Sequence, residues 1–203
     1  MSAGFLEEAP VTAQAQALFD EDLADSGYVW NVSRLWAYQP DTVEKLFELM
    51  SQAFKPSGLR FRQRGILVTA TASALGDSYC SLAWGGKLSG VSDPSLAAGV
   101  LDGTDTGLTD QENALASWAR KIVKDPNTTT PADIQELREA GLADDQIFAI
   151  TAFVALRLAF STINDALGSS PDEQLVKSLP PVVTAAVTYG RPAVPLPTSA
   201  PES

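Results

Sequence analysis

The sequence predicts an all-α bundle of helices in a single domain. Its 203 residues are 45% apolar, which is enough to bury one core without the help of disulfides or a metal. Apolar residues recur at helical spacing in nearly every segment. No convincing set of alternating, strand-like segments occurs along the chain. Glycines and prolines stand where these segments meet, as expected for helix ends.

Four helices are predicted in the first 75 residues. Leu18, Phe19 and Leu23 follow helical spacing, and the glycine after them is placed as a C-terminal cap. The predictions are a helix over residues 11–26 closed by Gly27, a short helix over 31–38 halted by Pro40, a helix opened by Asp41 and Glu44 in a capping-box pattern, and an apolar helix over 59–75.

The later helices are predicted from the same capping signals. Asp77 is placed as the N-cap of a helix near residues 79–88. The further predictions are a capping box at Thr109 and Glu112, a helix begun by Thr130 and Pro131 and closed by Gly141, and a long helix over 144–167 before Gly168. The helices near 79–88 and 144–167 are expected at the centre of the bundle.

Composition excludes several classes of function. The chain has 25 acidic and 14 basic residues, a net charge of −11, which argues against binding nucleic acid through phosphates. It has no histidine, so no Ser-His-Asp or Cys-His catalytic system and no His-ligated metal can form. Its single cysteine, Cys80, excludes an intrachain disulfide and a CxxC redox pair. No metal and no cofactor are therefore expected.

The two termini and the most apolar stretch indicate the cellular location of the protein. Residues 1–10 lack the pattern of a secretory signal, so they are predicted to be a flexible N-terminus and the cytoplasm is the default location. The domain is predicted over 11–190, followed by a proline-rich, disordered tail at 191–203. The apolar run from Ile147 to Ile163 contains Arg157 and is short for a bilayer span, which favours a buried core helix and no membrane association.

One window carries a family resemblance. It is Arg62-Gln-Arg-Gly-Ile-Leu-Val-Thr-Ala-Thr-Ala-Ser-Ala-Leu-Gly-Asp-Ser-Tyr-Cys-Ser-Leu-Ala-Trp-Gly-Gly-Lys-Leu88, an apolar helix, a break of small residues and a second helix entered through Tyr-Cys. Together with the segments 27–40, 108–116, 131–142 and 164–168, it resembles the AhpD-like superfamily, which includes alkylhydroperoxidase D and the carboxymuconolactone decarboxylases. The resemblance implies an AhpD-like helical bundle and a peroxidase-related protein.

The family's peroxidase motif is a Glu, a CxxC pair twelve positions later and a His four positions after the second Cys. Aligned with this chain, the motif falls on Gly65, Asp77, Cys80 and Trp84, so only the second cysteine is present. The resemblance implies thiol peroxidase activity coupled to a disulfide-reducing partner. A lone thiol would stop at sulfenic acid until an external thiol arrived.

The reactivity of Cys80 is left open by two opposing effects. The N-terminal turn of a helix lowers a thiol pKa, whereas the negative charge of Asp77 raises it. Cys80 is therefore interpreted either as a small buried hydrophobic residue or as a redox group whose surroundings are shaped by Asp77 and Tyr79.

Arginines supply the candidate ligand-binding groups. Arg157 on an otherwise apolar helix requires a partner, which is either a carboxylate of the chain or an anionic ligand, and Arg34 allows the same two interpretations. Arg60 and Arg64 share a helix face that is predicted to be solvated. Trp84 is expected to fill core volume and to make the pocket at its position drier and smaller.

Three functions remain in competition. The first is residual peroxide or thiol redox chemistry by Cys80. The second is cofactor-free decarboxylation or proton transfer on a small carboxylated substrate, held by Arg157 or Arg34 with Asp77 as the acid-base group. The third is a non-catalytic binding or assembly module in which Trp84 closes the former pocket.

A homo-oligomer, either a dimer or a trimer, is expected from the resemblance. Gly85 and Gly86 lie inside a predicted helix, where each glycine costs roughly 1 kcal/mol relative to alanine. Close approach of another helix or of a second subunit would offset that cost.

Overall fold

The computed structural model describes residues 4–194, and this part of the chain is all α-helical with no β-strand. Two 3₁₀ turns, Lys55–Ser57 and Pro126–Thr128, join helices. The helices are α1 (Ala13–Ser26), α2 (Asn31–Trp36), α3 (Pro40–Phe54), α4 (Phe61–Leu75), α5 (Ser78–Val91), α6 (Pro94–Asp102), α7 (Asp110–Lys124), α8 (Pro131–Glu139), α9 (Asp144–Ala166), α10 (Glu173–Ser178) and α11 (Pro181–Ala186). The predicted all-α class is confirmed.

Helix α5 lies at the centre of one half of the bundle. It packs against α4, α6 and α11. Helix α4 also packs along α7, and α9 crosses α3, α4 and α7. Both helices that the sequence placed at the centre, α5 and α9, are therefore extensively packed.

The buried side chains form two clusters. The first is mainly aliphatic and lies between α4, α5, α6, α7 and α9, around residues such as Ile66, Leu88 and Ile150. The second is aromatic, and its buried members are Trp36, Val43, Met50, Val68, Ala72, Cys80, Trp84, Phe153 and Phe160. The single cysteine is thus part of an aromatic core.

Close helix approach explains the glycines inside α5. A Cβ atom at Gly85 would lie 2.9 Å from Leu101 Cδ1 and 3.1 Å from Val183 Cγ1. A Cβ atom at Gly86 would lie 2.3 Å from Leu179 Cδ2. Helices α6 and α11, and Leu179 just before α11, can therefore pack closely against α5. This packing offsets the loss of helix stability caused by two glycines in a helix.

Most of the capping signals are confirmed, and one is wrong. Gly27 closes α1 in the left-handed conformation, and Thr109 and Glu112 form the predicted capping box of α7. The predicted box at Asp41 and Glu44 is absent because α3 begins two residues earlier than an Asp41 cap requires, at Pro40 with Gln39 as its N-cap. A proline at the first helical position loses no helix hydrogen bond, because the N–H there has no partner within the helix. Pro40 therefore begins α3, whereas the sequence predicted it only as the end of α2.

Other boundaries also differ from the predictions. Helix α2 ends at Trp36 and not at Tyr38. Three helices, α6, α10 and α11, were not predicted. Asp93 caps α6 before a first-turn proline, the same order of residues that correctly predicted α8.

The segments at both ends contact the bundle where the structure describes them. The Phe5 N–H donates to the Leu167 carbonyl at 2.8 Å. The Val194 N–H donates to the Pro171 carbonyl at 2.9 Å. The remaining parts of the predicted flexible N-terminus and disordered tail, residues 1–3 and 195–203, lie outside the described residues.

Helix α9 is the one described helix whose length and composition would allow it to cross a membrane. Core helices of soluble proteins meet the same criteria. Its inward face includes the buried Phe153, Arg157 and Asn164, and the helix packs against α3, α4 and α7. These contacts support the core-helix interpretation.

The outer face of α9 leaves apolar surface uncovered. Phe148 is 76% exposed, and with Trp118 and Ile122 it lines an open groove of about 500 Å³. The homo-oligomer stays a prediction, and this groove is compatible with it.

Gly85→Ala is expected to destabilise the protein by about 1–2 kcal/mol, because overpacking against Leu101 and Val183 exceeds the gain in helix propensity. Gly90→Ala is the matched control in α5, since a Cβ atom there meets nothing within 4 Å. It should leave stability unchanged or raise it. Urea unfolding of both variants measures the difference, and equal effects would contradict the packing argument.

Asp165→Asn is expected to stabilise the protein at pH 7.5. Burial raises the pKa of Asp165 to about 6, Asp77 adds to this rise and Arg191 opposes it. The folded state therefore binds this proton more tightly than the unfolded chain, so stability falls as the pH rises from about 4 to about 6, and the full loss is present above pH 6. Because the side chain is partly exposed, the expected gain is about 1 kcal/mol at pH 7.5 and smaller at pH 5. Unfolding free energies at the two pH values provide the check.

Candidate functional site around Cys80

Cys80 lies in the first turn of α5, where Asp77 caps the helix. Asp77 Oδ1 accepts a hydrogen bond from the Cys80 N–H at 2.9 Å. The Asp77 side chain is completely buried, and its Oδ2 has no hydrogen-bond partner among the described residues. The predicted N-cap is confirmed, and it brings a carboxylate next to the thiol.

Helix α9 supplies two hydrogen-bond donors to the sulfur. Arg157 Nη2 donates to Cys80 Sγ at 3.4 Å, and Ser161 Oγ lies 3.6 Å from the same sulfur. The two side chains are four residues apart, so they share one face of α9. Both are buried, as is Cys80, which is 3% exposed.

The structure decides the sign of the pKa shift that the sequence left open. Burial raises the pKa of the Cys80 thiol far above its usual value, and the negative charge of Asp77 raises it further. Arg157 and Ser161 lower the pKa, but their effect is smaller. The resting group at neutral pH is therefore a neutral thiol.

Trp84 lies one turn after Cys80 and is surrounded by positive charge. The guanidinium carbons of Arg64 and Arg157 lie 5.5 Å and 5.6 Å from the centre of its ring. Lys87 Nζ lies 5.0 Å from it. Arg157 also stacks on Phe160 at 5.1 Å. Trp84 fills core volume as predicted, and it also gathers three cationic side chains.

The predicted solvated face of α4 is wrong at Arg64. Arg60 is exposed, but Arg64 is only partly exposed and lies against the rings of Phe54 and Phe153 as well as Trp84. Burial and the charge of Arg157 lower the pKa of Arg64. The aromatic rings against which Arg64 packs come from residues distant in sequence. No local sequence pattern therefore predicts that Arg64 is partly buried.

Ser161 and Lys87 were also missed as members of this site. Each is three or four residues from a predicted member, Ser161 from Arg157 and Lys87 from Trp84. Helical spacing could have identified both once those residues were chosen.

Two predicted site residues lie elsewhere. The Tyr79 hydroxyl donates to Asp172 Oδ2, and its ring lies 6.3 Å from Trp30, so its polar atom is engaged away from the sulfur. Arg34 borders a small cavity of about 70 Å³ together with Tyr38 and the N-terminal segment. Any part that either residue plays in chemistry stays a prediction.

The positions that align with the family's dithiol motif carry other groups. At Gly65, a Cβ atom would lie 3.2 Å from Leu88 Cδ1, so α4 and α5 meet closely where the motif has a carboxylate. Trp84 stands at the position of the histidine. Within residues 4–194, no group of three or more His, Cys, Asp or Glu side chains could hold a metal ion.

No family model and no curated protein sequence matches the chain. Solved structures do match. A peroxidase-related protein from Ralstonia eutropha JMP134, described as an alkylhydroperoxidase AhpD core, has a TM-score of 0.72 at 24% identity, covering 83% of this chain and 93% of its own. A peroxidase-related protein from Silicibacter sp. TM1040 has a TM-score of 0.76 at 19% identity, covering 86% and 95%.

A third similar structure is that of the debrominase Bmp8, with a TM-score of 0.67 at 15% identity, covering 86% of this chain and 92% of its own. A cysteine-to-alanine variant of Bmp8, in complex with 2,3,4-tribromopyrrole, matches at the same TM-score of 0.67. These likenesses span most of each chain. The protein therefore has the AhpD-like fold that its core sequence resembles.

Proposed function

We propose that this protein is a peroxidase-related oxidoreductase that works through the single thiol of Cys80. The observation that carries the proposal is the pair of donors, Arg157 and Ser161, directed at Cys80 Sγ from α9. Donors in this position stabilise negative charge on the sulfur, both in the thiolate and in a sulfenate. The peroxidase-related proteins that share the fold support the proposal.

The proposed reaction reduces a hydroperoxide. The Cys80 thiolate attacks the terminal oxygen of ROOH, the O–O bond breaks, and the alkoxide leaves with a proton as ROH. Cys80 is oxidised to sulfenic acid as the peroxide is reduced. An external thiol then forms a mixed disulfide with release of water, and a second thiol reduces that disulfide. The chain has no second cysteine, so both reducing thiols come from outside.

Asp77 and Arg157 have opposite roles in this scheme. Asp77 holds the N-terminus of α5 in place and keeps the thiol neutral at rest. Arg157 favours the thiolate once the proton has left. Because the neutral form predominates, peroxide reduction should be slow at neutral pH and should accelerate as the pH rises.

A non-catalytic binding module is the second candidate, and the packing around the sulfur favours it. Trp84 is only 8% exposed, and it belongs with Phe153 and Phe160 to the aromatic cluster that contains Cys80. Access of peroxide to the sulfur decides between the two candidates.

Peroxide turnover by the purified protein with a small external dithiol is expected to depend entirely on Cys80. Cys80→Ser should reduce peroxide consumption to the level of the buffer, because the sequence has no other cysteine to react with peroxide. Loss of peroxide is followed optically, and the sulfenic acid is trapped with a dione reagent. Turnover that persists in the serine variant, or no turnover in either protein, would rule out the proposed activity.

Asp77→Asn is expected to lower the thiol pKa of Cys80 and to speed its reaction with peroxide at pH 7.5. The change removes a negative charge beside the sulfur while asparagine retains the helix cap. Arg157→Met should have the opposite effect. Ultraviolet absorbance of the thiolate against pH measures the shift, with Cys80→Ser as the blank. A slower reaction in Asp77→Asn would indicate instead that Asp77 removes the thiol proton.

A further inference from the structure

Three cationic side chains converge on one aromatic ring beside Cys80. Arg64, Lys87 and Arg157 come from α4, α5 and α9 and lie within 5.6 Å of the Trp84 ring centre. Arg157 is 5% exposed, and Arg64 is partly exposed. The arrangement concentrates positive charge on a protein whose net charge is −11.

None of the three forms an ion pair with a carboxylate within residues 4–194. Six other cations of the described residues do have such a partner. The ion pairs of the described chain are Arg62–Glu112, Arg120–Asp105, Lys121–Asp133, Arg138–Asp144, Lys177–Glu173 and the looser Arg191–Asp165. Other cations without an ion pair in this part of the chain, such as Arg34 and Lys124, lie apart from this place, but around Trp84 three of them meet at one ring. With 25 acidic residues in the chain, this does not reflect a shortage of carboxylates.

The three positive charges act on one another. Burial and the charges of Arg157 and Arg64 lower the pKa of Lys87, and the charge of Arg157 helps to lower that of Arg64. Placing like charges together in a partly dry environment is unfavourable unless an opposite charge compensates them. Residues 4–194 supply no such charge within ion-pair distance.

Two hydrogen-bond donors beside Trp84 also have no acceptor among the described residues. They are the Nε atoms of Arg64 and Arg157, and both are buried. Arg157 otherwise donates only to the sulfur of Cys80, a weak acceptor. A guanidinium group presents a planar set of donors that fits the two oxygens of a carboxylate.

We infer that Arg64, Lys87 and Arg157 form a binding site for a small carboxylate that carries a planar, aromatic body. The carboxylate supplies the missing negative charge and accepts the unused donors. Phe61, which is 46% exposed, stacks on Trp84 at 6.1 Å and gives the site an aromatic outer edge. Lys87 lies at the same exposed margin, so the ligand enters between Phe61 and Lys87.

The carboxylate site is independent of the proposed redox function, but its consequence for the substrate rests on that function. Since Arg157 contacts both the ring of Trp84 and the sulfur of Cys80, a carboxylate bound here lies close to the thiol. The peroxide substrate of the proposed reaction would accordingly carry a carboxylate group.

Calorimetric titration of the Cys80→Ser protein with benzoate tests the site without interference from thiol chemistry. Benzoate should bind, and benzamide, a neutral molecule of the same shape, should not. Lys87→Gln and Arg64→Gln should each weaken benzoate binding by about tenfold or more, as expected for loss of a charged contact. Arg60→Gln, which removes an exposed positive charge at the N-cap of α4, is the matched control, and this variant should bind benzoate with unchanged affinity.

Three results would overturn the inference: no benzoate binding up to millimolar concentration, equal binding of benzamide, or unchanged affinity in Lys87→Gln. Because Lys87 lies at the surface, that variant remains informative if Arg64→Gln fails to fold. The two proposals fail separately. Benzoate binding with no peroxide turnover by the unmodified protein would refute only the redox function, and turnover without benzoate binding would refute only the carboxylate site.

Discussion

The close approach of α5 to its neighbours is the constraint on which the rest of the structure depends. Gly85 allows Leu101 of α6 and Val183 of α11 to reach the helix backbone, and Gly65 allows α4 to meet Leu88. Protein interiors are packed too densely to accept an added side chain at such contacts without movement. These contacts fix the position of α5, whose first turn carries Cys80 within reach of Arg157 and Ser161 of α9.

Burial dominates the chemistry of that cysteine. A helix N-terminus favours a thiolate by less than the loss of water disfavours it. Asp77 adds to the effect of burial because its carboxylate caps the same turn. Arg157 and Ser161 oppose the effect from α9. The site therefore holds a neutral thiol with charge-stabilising donors already in place.

The positions that align with the dithiol motif carry residues with a different physical role. Gly65 closes the gap between two helices, Asp77 caps a helix, and Trp84 provides an aromatic ring on which cations stack. Cation–π contacts stabilise such positions modestly, by about 0.5–2 kcal/mol each. They do not neutralise charge, and this is why the cluster around Trp84 retains capacity for an anion.

The sequence alone determined the helical class, most helix ends and the absence of imidazole and paired thiols, because these follow from composition or from signals between residues three or four positions apart. Asp77 and Thr109 were recognised as caps for that reason. Only the tertiary structure decided the protonation of Cys80, the inward position of Arg64 and the bond between Tyr79 and Asp172, partners 93 residues apart. Burial and charge at a site are set by side chains that folding brings together from distant segments, and no local pattern records which ones will meet.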